Sequence, residues 1–335
     1  MNHPQTFSIR DIGSMHIGGR EVVLGGLAER EVLYSPGSPP VMVDPNGAFE
    51  VEQMYVQYVR LAAPKARHPL LLMHGGGLCG VTYETKPDGQ PGWQSWFLHA
   101  GHDVYVADAV ERGRASWARF PEIFQGEPHF RTKAEAWELF RIGADGSWNG
   151  SASASSANLG TLFPVAAFDQ FMKQATPRWT TTDHATQAAY NTLVDDHGPF
   201  VIITHSQGAN FAFRMAAAHP DKVAAIVAVE PSGFPGASQE SLSALRHIPH
   251  LFVWGDHMDS SALWRRIRQG LNQYGNTLRS QGVAVDELDL PAIGVGGNSH
   301  MLMMDTNSNL VANLIQKWLA NKGLMQKRGP PGLFD

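Results

Sequence analysis

Cysteine is almost absent. Cys79 is the only one in 335 residues, so no intrachain disulfide and no cysteine-rich metal site can form. Positive charge is also scarce: 26 lysines and arginines stand against 31 acidic residues, a net charge of −5. No basic run is present that could track phosphates, which argues against nucleic acid as a partner. Long apolar runs are missing as well. None approaches the roughly 18 to 20 residues a membrane span needs, which points to a soluble chain with no membrane partner. The opening MetAsnHisProGlnThrPheSerIleArg has no apolar signal core, so the expected compartment is cytoplasmic or periplasmic. No HExxH or other clustered ligand motif occurs, and neither a metal nor any other cofactor is expected.

What is present suits a large core, since 43% of the residues are hydrophobic and the length allows one big domain. Residues 69–73, 103–108, 200–204, 223–229 and 251–254 are short apolar runs, the pattern of strands buried on both faces. Between and after them, 207–219, 261–280 and 306–321 have helical composition. Strands alternating with helices predict an α/β fold with a mostly parallel, doubly wound sheet. Residues 51–61 alternate and are rich in strand formers, which predicts an early half-buried antiparallel strand. The glycine- and proline-rich residues 1–50 read as a decoration of short edge strands and turns. The main domain then spans 51–325, with 326–335 as a frayed tail.

Residues 115–183 break the rhythm, being far longer than an ordinary connection. They carry Trp117, Phe120, Phe124, Phe130, Trp137, Phe140, Trp148, Phe163, Phe168, Phe171 and Trp179. These rings either cap an apolar pocket or build the insertion's own core.

Ser206 lies where the run PheValIleIleThr meets a helix with almost no connection, in ThrHisSerGlnGly at 204–208. That is the context of a nucleophile elbow, although Thr204 replaces the usual first glycine of G-x-S-x-G. The bland alternative is a helix N-cap. A serine nucleophile needs donors for a developing oxyanion, in part from a loop after an earlier strand. HisGlyGlyGlyLeuCysGly at 74–80 supplies such a loop. The amides of Gly76 and Gln207 are the candidate donors, with Gly77 the neighbour best able to replace Gly76. A phosphate loop is the rival for this glycine cluster, but no G-x-x-x-x-G-K-[ST] occurs.

The base should be a late histidine, and His300 fits, in a glycine-rich loop before the final helix with no histidine beyond it. His205, His247 and His250 read as structural, surface or packing residues. For the carboxylate, Asp256 and Asp259 follow the next strand, where position alone favours Asp259, whereas Glu230 ends the apolar run ValAlaAlaIleValAlaVal. A glutamate there would be expensive unless paired, which favours it modestly.

Taken together, HisGlyGlyGlyLeuCysGly at 74–80, TyrGluThrLysProAspGlyGlnProGlyTrp at 83–93, AspAlaValGluArgGlyArgAlaSer at 108–116, HisSerGlnGly at 205–208 and ValGluProSerGly at 229–233 resemble the bacterial esterase 713-like branch of the α/β-hydrolase superfamily. That branch also includes sulfonylurea-herbicide esterases. The resemblance spans roughly 50–320 and implies an α/β-hydrolase fold with a cap-like insertion. It further implies a serine esterase with Ser206, His300 and Glu230 as its catalytic residues, a small-molecule ester as substrate, and a homodimer. The glycine loop lacks the adjacent cysteines that some members carry. Lactone or amide hydrolysis and acyl transfer would use the same machinery. A non-catalytic binding protein on this fold is the alternative of a different class. The aromatic load suggests a hydrophobic or aryl-bearing ester.

Overall fold

The structure, a computed structural model, describes residues 6–235 and 242–326. The tail expected to fray lies outside the described residues from 327 onward. Among the described residues eight strands form one sheet: β1 (Ile9–Leu24), β4 (Gly47–Leu61), β5 (Leu70–Met73), β6 (Val104–Asp108), β7 (Phe200–His205), β8 (Val223–Val229), β9 (His250–Trp254) and β10 (Val285–Asp289). Their spatial order is β1-β4-β6-β5-β7-β8-β9-β10. The pair β2 (Arg30–Val32) and β3 (Val41–Val43) forms a small separate ribbon.

From β6 to β10 every pairing is parallel, and β4 and β1 continue the sheet antiparallel at one side. The five short apolar runs are all strands, and β5 to β9 are buried along almost their whole length. Strands wrapped by helices on both faces have no polar side to show.

Apolar stripes attach the helices. Helix Asp183–His197 buries Ala185, Ala189 and Leu193 together with Tyr190 and Val194. Helix Ala262–Ser280 buries Trp264, Leu271, Tyr274 and Leu278 and leaves Arg265 and Arg266 exposed. These two and Gly208–Ala218 cover one face of the sheet. Trp93 and Phe97 of Trp93–Ala100, with Val311, Ile315 and Leu319 of Ser308–Asn321, cover the other.

One early expectation is corrected. Residues 9–24 form a 16-residue strand, not short edge strands, and its register with β4 runs from Ile9↔Leu61 to Leu24↔Gly47. The early strand correspondingly begins at Gly47, before residue 51. Only Ile17 in this outer strand is buried, so it lacks the apolar run that reveals its inner neighbours.

In the insertion, Phe124, Trp137, Phe140, Phe163, Phe168, Phe171 and Trp179 are buried, whereas Trp117, Phe120 and Phe130 are exposed. Trp137 packs edge-on against Phe168 at 5.2 Å, and Phe163 against Phe171 at 5.3 Å. Most of these rings build the insertion's own core.

The sheet order fixes where a site can form. The chain leaves β5 for β6 on one side and returns to β7 on the other, so the ends of β5 and β7 flank a switch point. A crevice opens outside the carboxyl ends of strands at such a point. The loop 74–80 and Ser206 follow those two ends directly.

Candidate active site

Ser206 has φ 52°, left-handed for a residue with a side chain. Such a conformation persists only where its surroundings over-determine it. The Ser206 amide donates to Val229 O at 3.0 Å, and its carbonyl accepts from Ala209 N and Ser232 N at 3.2 Å each. Next to the turn, a Cβ at Gly208 would meet Thr204 Oγ1 at 2.6 Å and His74 O at 2.7 Å. The second glycine is therefore obligatory, while Thr204 fills the place of the first from full burial.

The glycine loop is clamped by two side chains. Asp108, ending β6, accepts from Gly80 N at 2.5 Å and from Arg114 N and Nε at 2.9 and 2.7 Å. His74 Nε2 accepts from Ala109 N at 3.1 Å, which leaves the proton on Nδ1 to be donated to Gly75 O at 2.8 Å. Burial, reinforced by Arg112, lowers His74 to about 4, so it holds the loop as a neutral ring.

His300 donates from Nδ1 to Glu230 Oε2 at 3.0 Å. The ring sits 4.2 Å from that of Trp264 and 4.5 Å from that of His205, with Phe140 stacked at 5.7 Å. Its backbone is held from two sides: its amide donates to Phe140 O at 2.9 Å, and its carbonyl accepts from His205 Nε2 at 3.0 Å. His205 is therefore a brace for the His300 backbone.

Asp305 secures the same loop, accepting from Ser299 N at 2.9 Å, Ser299 Oγ at 2.7 Å and Asn298 Nδ2 at 2.9 Å. Burial lowers His300 to about 4 although Glu230 pulls the other way. At neutral pH the ring is uncharged, and with the Nδ1 proton committed to Glu230 its Nε2 is the free base.

Of the competing carboxylates, the one that meets His300 is that of Glu230. Asp256 accepts instead from His257 N at 2.6 Å and Gly297 N at 2.7 Å, which tethers the glycine loop. Asp259 contributes its backbone carbonyl to Arg265. Glu230 is fully buried, and burial alone would raise its pKa. The Arg141 guanidinium at 2.8 Å and the bond from His300 outweigh burial and hold it down to about 2. Its other oxygen accepts from Gly255 N.

Arg141 escaped the sequence reading, yet it lies between buried Phe140 and Ile142. The reasoning applied to Glu230, that a buried charge demands a partner, would have flagged it.

Gly76, Ser206, Gln207 and His300 share one cleft of about 210 Å³. A Cβ at Gly76 would meet only the movable end of the Gln207 side chain, whereas one at Gly75 would meet the buried ring of His205 at 2.7 Å and Ser206 Cβ at 3.0 Å, so the loop and the elbow approach each other closely because residue 75 has no side chain. Arg131, Leu139 and Phe140 from the insertion, Arg178, and Trp264 with Ile267 complete the walls. Phe140 alone of the eleven rings singled out above reaches this cleft among the described residues. Ser206 Oγ donates to Ser232 Oγ at 3.3 Å. Two wider grooves, of about 540 and 560 Å³, contain none of Ser206, His300 and Glu230.

Among the described residues no group of three or more His, Cys, Asp or Glu side chains could hold a metal ion. No described helix is long and apolar enough to cross a membrane.

Residues 68–262 match the family described as alpha/beta hydrolase fold. The solved structure called "The Atomic Resolution Structure of a Novel Bacterial Esterase" is 31% identical, with a TM-score of 0.81 over 96% of this chain and 99% of that one. A fungal protein, "Probable secreted lipase phiG" of Fungal sp. (strain ATCC 74256), is 25% identical across 82% of this chain and 87% of its own length.

Proposed function

Because the chain belongs to the alpha/beta hydrolase fold family, with esterase- and lipase-named relatives, we propose that it is a serine carboxylesterase acting through an acyl-enzyme. The observation that carries this reading is the pairing of a left-handed Ser206 with a neutral His300, locked to Glu230, in one cleft.

In the resting site the Ser206 hydroxyl points to Ser232. When an ester enters, Oγ turns toward His300 Nε2, gives up its proton and attacks the carbonyl carbon. The Gly76 and Gln207 amides receive the oxyanion, and Glu230 stabilises the imidazolium. His300 hands the proton to the departing alcohol, and water, deprotonated by the same ring, releases the acid. The apolar surfaces of Leu139, Phe140, Trp264 and Ile267 suit a hydrophobic or aryl-bearing ester.

A fluorophosphonate probe is expected to add one covalent label, placed on Ser206 by peptide mass mapping. A chain left unlabelled at Ser206 would point to a binding protein instead. Product analysis with matched esters, lactones, amides and alcohol acceptors separates hydrolysis of an ester from the related acyl transfers.

A further inference from the structure

Building on the esterase reading, we propose that Arg131 and Arg178 form an anion subsite, so that the preferred substrate is an ester that also carries a carboxylate or comparable anion. Both arginines line the Ser206 cleft. They flank the glycine loop: a Cβ at Gly77 would sit 3.3 Å from Arg131 Nε, and one at Gly76 would sit 3.7 Å from Arg178 Nη1. The pair is held there by a bridge across the insertion, in which His129 N donates to Arg178 O at 2.7 Å and Arg178 N to His129 O at 3.0 Å.

Each guanidinium has five donors but few acceptors. Arg131 keeps one ion-pair contact, Nη1 to Glu135 at 3.1 Å, and Glu135 is shared with His129. Arg178 keeps one to Asp183 at 3.3 Å, and Asp183 is shared with Gln207. Arg131 Nε and Arg178 Nε are buried and meet no hydrogen-bond acceptor among the described residues, and the Nη1 contact of Arg131 to Glu135 lacks hydrogen-bond geometry.

Two half-satisfied cations beside each other are costly to bury unless an anion completes them. Burial, and Arg178 after Glu135's opposing pull, leave Arg131 below its usual range. Guanidiniums are the side chains best shaped to take a carboxylate through parallel N–H bonds. The apolar walls beside them then take the uncharged part of the molecule. The anion is a bystander in the reaction: the ester C–O bond breaks, water supplies the elements of the new acid and alcohol, and the second charge only anchors.

The test uses two matched pairs. The 4-nitrophenyl monoester of glutaric acid against 4-nitrophenyl pentanoate places the charge on the acyl side. The acetyl ester of 4-hydroxybenzoate against phenyl acetate places it on the alcohol side. At least a tenfold higher kcat/KM for the anionic member of one pair is expected, through KM, shrinking as salt is raised. Arg131→Gln and Arg178→Gln should each reduce that preference at least fivefold, with Arg131→Lys and Arg178→Lys restoring part of it.

No preference in either pair would overturn the subsite, as would arginine variants that slow both members equally, which is the signature of oxyanion stabilisation. If no ester is turned over, the esterase reading fails by itself. Calorimetric binding of the glutarate monoester, but not of 4-nitrophenyl pentanoate, to the Ser206→Ala chain then decides the anion site separately.

Discussion

Ser206→Ala is expected to lower kcat for an aryl ester by about 10⁵- to 10⁶-fold, because the residues of such a site act as a unit and little survives loss of the proposed nucleophile. The substitution removes a single oxygen from a half-buried side chain whose one bond goes to Ser232. The melting temperature should therefore stay within a few degrees of the parent's. A variant retaining more than a hundredth of the parent's rate would remove Ser206 from the mechanism.

Glu230→Gln is expected to behave differently on both axes. The rate should fall by about 10³- to 10⁴-fold, since an amide no longer stabilises the imidazolium or fixes the tautomer. Stability should fall too, because Arg141 would face a neutral group while fully buried, a loss of about 3 to 5 kcal/mol. Rates measured alongside thermal melts distinguish these outcomes. Equal melting temperatures for Glu230→Gln and the parent would mean that the Arg141 pair contributes nothing to the fold.

The residues most legible in the sequence were those whose local context is anomalous. Ser206 stood out because β7 ends one residue before it and a helix begins two residues after it, and Glu230 because an acid ends a run of otherwise apolar residues. The inner strands were legible for a related reason, as burial on both faces leaves no polar alternation to confuse them. The outer strand Ile9–Leu24 was not. It contains Gly13, Gly18 and Gly19 and has mostly exposed or half-buried residues, so it reads as turns until its long pairing with β4 is seen.

The cleft walls were hidden more deeply. Arg131 and Arg178 are 47 positions apart and meet through the bridge between His129 and Arg178. Local pattern carries no trace of such a bridge. The aromatic count misled in the opposite direction, because rings that could line a pocket fill the insertion's core equally well, and their spacing is the same in both cases.

Acidification is expected to unfold the protein before it silences His300, the proposed base. His74, His102, His205, His250 and His300 are all buried, and desolvation lowers each of them, to about 4 for His74, His102, His250 and His300 and well below the usual value for His205. In the unfolded chain the same rings titrate near 6.5. As pH falls from about 6.5 toward 4, the unfolded chain binds protons that the folded chain refuses, so stability declines. The contribution is whole above the unfolded value and is lost progressively as pH falls through the folded one.

Two carboxyl groups work in the opposite direction. Burial raises Asp305 to about 6 and also raises Glu111 against the pull of Arg112, so the folded chain takes up their protons first. Glu230, held at about 2, keeps its stabilising charge throughout this window and loses it only at still lower pH. Each group acting alone changes stability by about 1.4 kcal/mol per pH unit at most. The buried imidazoles outnumber the two raised carboxyls, so the net effect of acidification is a loss of stability.

The near-ultraviolet circular dichroism signal should therefore collapse cooperatively between about pH 4 and 6, and kcat/KM should fall with it, more steeply than one proton allows. A shallow, one-proton limb centred near 4 with undiminished dichroism would show instead that the imidazoles are solvated enough to titrate without unfolding the chain. In that case the buried ring of His300 itself, and not the fold around it, would set the acid limit of the enzyme.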